Sequence, residues 1–310
     1  MDIISAIITV LIQVLPVTLE QGLIYSVLAL GIYITYQILD YPDLSVDGTF
    51  PLGASITAIM IINGVNPWIV ILCSFLGGAV AGLFTGIFHV VFKIKDLLSG
   101  IITMIALYSI NIMIADGKSM LPITKGKTIF NSGLANLLPE SISKYHSLII
   151  IALCTFIIKK LLDWYLKTKS GLLLRATGDN PVMLTLIAKN HGYVKIIGLM
   201  ICNGLAAVAG SILCQNQRFF DVASGTGSMV MGLASVIIGI TIFGKLRLIT
   251  ATTMVVIGSI LYKGCLVTAL QFNINPTNLK LVMALIFLVA LISKDLVSKG
   301  GERYVNSSKH

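Results

Sequence analysis

The sequence predicts an all-α integral membrane protein, and three observations carry that prediction. Of the 310 residues, 56% are hydrophobic and only 11% charged, against the roughly 25% charged residues of soluble domains. The mean hydropathy is +0.94. The few charges fall in short loops between apolar runs and not on amphipathic faces, so a water-soluble core has no polar surface to cover it. The net charge of +9 comes from Lys and Arg flanking apolar segments, with no interleaved aromatic stripe. Orientation in a membrane explains that pattern, and nucleic acid is not an expected partner.

Apolar windows predict ten membrane segments, near residues 3–18, 22–39, 50–63, 68–92, 97–115, 147–166, 196–214, 229–244, 248–270 and 277–293. Several fall short of the roughly 20 residues of a clean span, so eight or nine is the alternative count. Met1-Asp2-Ile3-Ile4 lacks the basic region of a cleaved secretory signal, and the first segment is expected to stay.

Seven basic residues (Lys159, Lys160, Lys167, Lys169, Arg175, Lys189 and Lys195) stand against Asp163 and Asp179 between 159 and 195, a balance of +5. This puts the stretch in the cytosol. Counting outward places Lys93 and Lys95, Lys245 and Arg247, and both termini on the same side. The chain then reads as one transmembrane domain over residues 1–310. It has a cytoplasmic segment at 167–195, an external loop at 116–146 with a short surface helix around Leu134 to Leu138, and a cytoplasmic tail at 294–310.

Gly78, Gly82 and Gly86 recur every four residues, and Ala206 and Gly210 repeat the spacing; both are read as close helix packing. Five cysteines without CxxC spacing and four scattered histidines suggest neither a disulfide framework nor a metal site. No nucleophile and base stand together, so no enzyme activity is expected. Lys263 is expected to snorkel outward.

Asn180, Pro181 and Gly192 frame a helix of roughly ten residues: an N-cap, a residue suited to the first helical position, and one suited to the position past the end. At 1.5 Å per residue it spans roughly 15 Å, about half a bilayer core, so it cannot cross the membrane. Such a helix is a handle for a soluble partner; the alternative is a segment lying on lipid.

Two polar segments echo each other. Asp43, Asp47, Gly48 and Gly53 of the first correspond to Asp221, Gly227 and Gly232 of the second, each an Asp, a Gly, four residues, a Gly and a run of small residues. With the first near the inner side and the second near the outer, they suit inverted repeats whose interrupted helices converge on a midplane pathway. Asp40, Asp43 and Asp47 either line that pathway or, as the commoner reading, Asp47 or Ser45 caps the next helix while the others meet water. Gly239 to Lys245 fits the spacing of a phosphate loop, but Leu246 stands where Ser or Thr must hold magnesium, and the residues end an apolar span. ATP is expected in a separate subunit.

Arg175-Ala-Thr177-Gly178-Asp179-Asn180-Pro181 resembles the permease subunits of ABC importers in the branched-chain amino acid and ribose permease superfamily. Asp40 to Ala54, Gln217 to Val222 and Gly232 to Gly239 resemble the branch of tryptophan and tyrosine import permeases. The likeness runs in order over roughly residues 15 to 295. It implies the fold of type II ABC importers and a multi-pass protein of the bacterial plasma (inner) membrane that passes an amino acid, an aromatic one by that branch, to the cytosol. It also implies three partners: a cytosolic ATPase carrying ATP and Mg, a second permease subunit, here expected to be a second copy, and an extracytoplasmic binding protein. By position, Arg175, Thr177, Gly178, Asp179, Asn180, Pro181, Met183 and Leu184 would couple to the ATPase. Asp40, Asp43, Asp47, Gly48, Gly53, Gln217, Asp221 and Gly227 would line the pathway. Ala223 to Gly227 replaces the branch's Met-Gly-Ile-Gly, and Ile240 and Thr241 stand where an acidic residue is common, which puts the substrate in question first. The alternative class is an ion-coupled secondary transporter, in which the Asp cluster would bind the ion.

Overall fold

Residues 2–32 form a single helix, α1 (Asp2–Ile32), where two segments were expected. Gly22, where the second expected segment begins, serves packing: a Cβ there would lie 2.8 Å from Ile260 Cα on a facing helix. Pro16 is carried inside the helix, as membrane helices tolerate. The computed structural model describes residues 2–124, 126–132, 145–179, 191–244, 246, 249–271 and 278–307. The expected surface helix near 134–138 and the expected helix at 181–189 lie outside these residues.

After α1 come a π-helical turn (Tyr33–Ile38), α2 (Val46–Ile62), α3 (Pro67–Val90), α4 (Asp96–Ile114), β1 (Met120–Pro122), α5 (His146–Tyr165) and α6 (Lys169–Asp179). They are followed by α7 (His191–Gln217), β2 (Phe219–Asp221), a 3-10 turn (Val222–Gly225), α8 (Ser228–Phe243), α9 (Ala251–Gln271) and α10 (Leu279–Ser307). Gly192 therefore sits in the first turn of a membrane helix, and is not merely a stop after a shorter one. Among the described residues six helices are long and apolar enough to cross a membrane, and α2 and Leu279–Ser293 are shorter apolar helices. The strands β1 and β2 pair antiparallel with Met120 opposite Asp221, which ties the 116–132 loop to the end of α7.

Helix ends follow local chemistry. Asn66 accepts a hydrogen bond from Trp68 N (3.0 Å) and Pro67 opens α3. Gly64, with φ of +78°, turns the chain after α2.

The glycine stripe of α3 lies against α7. A Cβ at Gly78 would overlap the Asn203 carbonyl, one at Gly82 the Leu199 carbonyl, and one at Gly86 would come within 2.9 Å of the Ile196 side chain. Gly210 on α7 meets the Phe50 carbonyl of α2 and Gly53 on α2 meets the Ala207 carbonyl in the same manner. Small residues let these backbones touch, which is how helices associate where lipid removes the hydrophobic incentive. Lys263 departs from expectation: only 6% exposed, its ammonium sits 3.5 Å from the centre of the Tyr25 ring. The close fit of α9 on α1 turns this side chain inward, and the ring face offers a cation its partner.

Candidate functional site: the junction of two interrupted segments

The chain leaves the π-helical turn at Ile38 and crosses a short non-helical stretch before α2 begins. Asp40, exposed, takes a φ of +49° there, a conformation Asp tolerates better than most residues. Tyr41 N donates to Thr35 O (2.8 Å), and the Tyr41 hydroxyl meets the Ser99 hydroxyl at the start of α4.

Asp43 is 2% exposed, and a carboxylate there needs donors. It has three: Ser45 N (2.9 Å) and the Ser45 hydroxyl (2.6 Å) to Oδ1, and Asn203 Nδ2 (2.8 Å) to Oδ2. The Thr49 hydroxyl lies 2.6 Å from Asn203 Oδ1, and about two turns on along both helices the Thr57 hydroxyl donates to Ser211 (2.7 Å). α2 therefore runs beside α7 in the same direction. Asn203 escaped the sequence reading, although an amide in the middle of an apolar run is costly without a partner and could have been flagged on that ground. Replacing Asn203 by leucine leaves one Asp43 oxygen without its donor. The expected loss is about 1–3 kcal/mol, read as a lower unfolding midpoint of the purified protein.

Asp47 has an unexpected role. Ser45 is the N-cap of α2 without a side-chain cap bond, and the Asp47 carboxylate caps a different helix, α8. Its Oδ2 accepts from Gly227 N (3.0 Å), and its Oδ1 from Met229 N (2.7 Å) and the Ser228 hydroxyl (2.9 Å). This corrects the expectation that Asp47 or Ser45 would cap its own helix. Gly227 takes a φ of +84°, which aims its N–H at Asp47. Gly225 lies so close to the Asp47 carbonyl that a Cβ would overlap it. The two echoing segments thus meet in space, helix start to helix start, and the negative carboxylate sits at the positive end of α8.

Beside this junction is a cavity of about 510 Å³ whose lining includes Asp47, Gly48, Met104, Ser109, Asn111 and Thr226. Asn111 Nδ2 donates to Gly48 O (3.0 Å), while its buried Oδ1 has no partner among the described residues. It is a second residue the sequence reading missed, and it presents an acceptor beside the cavity. The other expected pathway residues lie apart. Gly53 packs against α7, Gln217 is exposed at the end of α7, and Asp221 caps the 3-10 turn through Ala223 N (2.9 Å).

Of the expected coupling residues, Arg175 is exposed on α6, and the buried Thr177 donates its hydroxyl to Leu173 O (2.8 Å). Gly178 touches the end of the π-helical turn: a Cβ would overlap the Ile38 carbonyl oxygen. Asp179 ends α6, and Asn180, Pro181, Met183 and Leu184 lie outside the described residues. The end of α6 and the interrupted segment are therefore in backbone contact, seven residues before the Ser45 N-cap of α2.

Over residues 16–292 the chain matches the family described as branched-chain amino acid transport system, permease component. It is 44% identical over 279 residues to the tyrosine transport system permease protein of Clostridioides difficile (strain R20291), covering 90% of each chain. It is 31% identical over 285 residues to an uncharacterized protein of Rickettsia prowazekii (strain Madrid E), covering 91% of this chain and 98% of that one. The galactofuranose transporter permease protein of Escherichia coli (strain K12) is 29% identical over 259 residues, covering 81% and 70%. No solved structure matches the chain to a comparable standard. With nine-tenths of its length matched, the chain belongs to the family of permease components of branched-chain amino acid transport systems.

Proposed function

We propose that this permease subunit of an ABC transport system imports an amino acid, aromatic by its kinship to a tyrosine permease, along the cavity beside the Asp47 junction. A cytosolic ATPase holding ATP and Mg drives it through residues 175–191, and a second copy of the chain and an extracytoplasmic binding protein complete the importer. The observation that carries this reading is the Gly178 contact with Ile38. A pull on α6 moves the end of the π-helical turn, which continues into the Asp43–Asn203 lock and the Asp47 cap of α8. Two helix starts meeting around one carboxylate also suit the inverted repeat read from the sequence. Asn111 Oδ1 suits the ammonium of an amino acid.

The membrane is the bacterial inner membrane, with the 159–195 stretch and the tail in the cytosol. With the single helix α1 as one crossing where two were expected, this reading would put the N-terminal end outside instead of in the cytosol. Among the described residues six helices are long and apolar enough to cross and two further apolar helices are shorter, so on this reading the count falls below ten.

Gly178→Ala tests the coupling. The added Cβ must push the end of α6 off Ile38; the variant is expected still to bind the ATPase, while uptake into proteoliposomes falls by roughly tenfold or more, the cost of about 1.4 kcal/mol in the coupled step. Uptake at the unsubstituted rate, or uptake that survives ATP depletion, would overturn the reading.

A further inference from the structure

We propose that the cytosol-facing pocket between α5, α6 and α9, with the apolar groove beside it, binds an anionic phospholipid. The pocket has a volume of about 580 Å³. Lys159, Lys160 and Lys167 enter it from α5 and the turn that follows, Arg175 from α6, and Thr250 and Thr252 from the start of α9. Among the described residues its one acidic lining residue is Asp163, and both oxygens of that carboxylate are occupied. Lys159 Nζ donates to Oδ2 (3.0 Å) and the Thr252 hydroxyl to Oδ1 (2.6 Å). Asp163 balances Lys159, which leaves Lys160, whose ammonium lies 5.5 Å from the centre of the Phe156 ring, with Lys167 and Arg175 around the pocket as an excess of three positive charges among the described residues. Three cations around one cavity repel each other, and an anion among them relieves that repulsion.

The other flank of α5 shows what kind of anion this is. A groove of about 410 Å³ lies there between α3, α5 and α7, lined by Leu72, Phe75, Ile158, Leu161 and Leu205 among other apolar residues. Trp164 lines both the groove and the basic pocket, and it is 68% exposed. A ligand that fills both has a phosphate at one end and a hydrocarbon chain at the other, and it passes over the Trp164 indole in the last turn of α5, where the orientation proposed above has that helix leave the membrane. Indole rings favour that depth, and basic pockets between helices on the cytosolic side suit anionic headgroups. A free phosphate or nucleotide would use the pocket and leave the groove unexplained. An acidic side chain of a partner protein would do the same.

The test uses the full-length protein purified in detergent and titrated with phosphatidylglycerol, with phosphatidylcholine of the same chains, and with glycerophosphate and inorganic phosphate as headgroups without chains. Binding is read by native mass spectrometry. Phosphatidylglycerol should bind at least about tenfold more tightly than phosphatidylcholine, with that preference falling as salt rises. The Lys160→Gln, Lys167→Gln double variant should lose roughly 20-fold for phosphatidylglycerol and little for phosphatidylcholine. Leu161→Asn should weaken both lipids, and neither phosphate compound should displace phosphatidylglycerol. Each variant is first checked for an unchanged unfolding midpoint; Lys160→Ala and Leu161→Ser replace any that fails. Equal binding of the two lipids, displacement by inorganic phosphate, or indifference to the lysine variants would overturn the proposal. So would burial of the groove by a second copy, seen as a Leu161→Cys crosslink in a protein that binds no lipid.

Discussion

Leucine at Gly82 is expected to leave no folded, monodisperse protein, while alanine at Gly77, five residues earlier on the same helix, is expected to be nearly neutral. The difference lies in what each new side chain would meet. A Cβ at Gly82 overlaps the carbonyl of Leu199 and crowds Met200 Cα, both backbone atoms of α7. At Gly77 its nearest neighbour is Ile56 Cδ1 at 2.6 Å, the end of a side chain that can rotate. Overpacking typically costs about 1–3 kcal/mol where side chains can adjust. Here a whole helix would have to retreat, taking with it the Gly78 and Gly86 contacts and the segment of α7 that carries Asn203. Size-exclusion elution and the unfolding midpoint in detergent measure both outcomes. A folded Gly82→Leu protein with an unchanged midpoint would show that α3 and α7 do not pack as described.

Much of this architecture is legible in the sequence because membrane helices announce themselves by length and hydropathy. The expected segment at 97–115 corresponds to α4 and the one at 229–244 to α8, each within a residue at either end. The glycine spacing in α3 also points correctly to packing, since a four-residue repeat of residues without side chains has few other uses in a membrane. The unbroken run of α1 through Gly22 is less legible, because a glycine that opens a turn and one that admits a neighbouring helix look identical in sequence. The polar contacts are less legible still. Asp43 and Asn203 are 160 positions apart, and Asp47 and Gly227 are 180 apart, so no local pattern names the partner. The echo between the two Asp-Gly segments hints that they converge. It does not reveal that one supplies the cap for the other. Lys263 fails for a related reason, because its partner is a ring face on α1, and snorkelling is the default only where no such partner exists.

Alanine at Asp47 is expected to cost about 3 kcal/mol and to abolish uptake. The carboxylate holds two backbone N–H groups and one hydroxyl at the start of α8. In the half-buried junction alanine offers none of them an acceptor. Loss of an N-cap alone typically costs about 1 kcal/mol and reaches about 2, and each donor left unpaired in the interior adds to it, at about 1–3 kcal/mol where burial is complete. The charge contributes too, because a carboxylate at a helix N-terminus is favoured by the macrodipole. Asparagine separates these effects. Its carbonyl oxygen can still accept from Met229 N, but its amide turns a donor toward Gly227 N, so Asp47→Asn should fall between the native protein and Asp47→Ala in both midpoint and uptake. The same contacts explain why uptake should fail along with stability. Asp47 is the point where α2, held to α7 through Asp43 and Asn203, grips α8, so a movement begun at Gly178 and Ile38 has no path into α8 once that grip is gone. Unfolding midpoints and proteoliposome uptake from the same preparations give the two readouts. An Asp47→Ala protein that keeps the native midpoint would remove the cap assignment; one that loses midpoint but transports normally would keep the cap and remove its part in coupling.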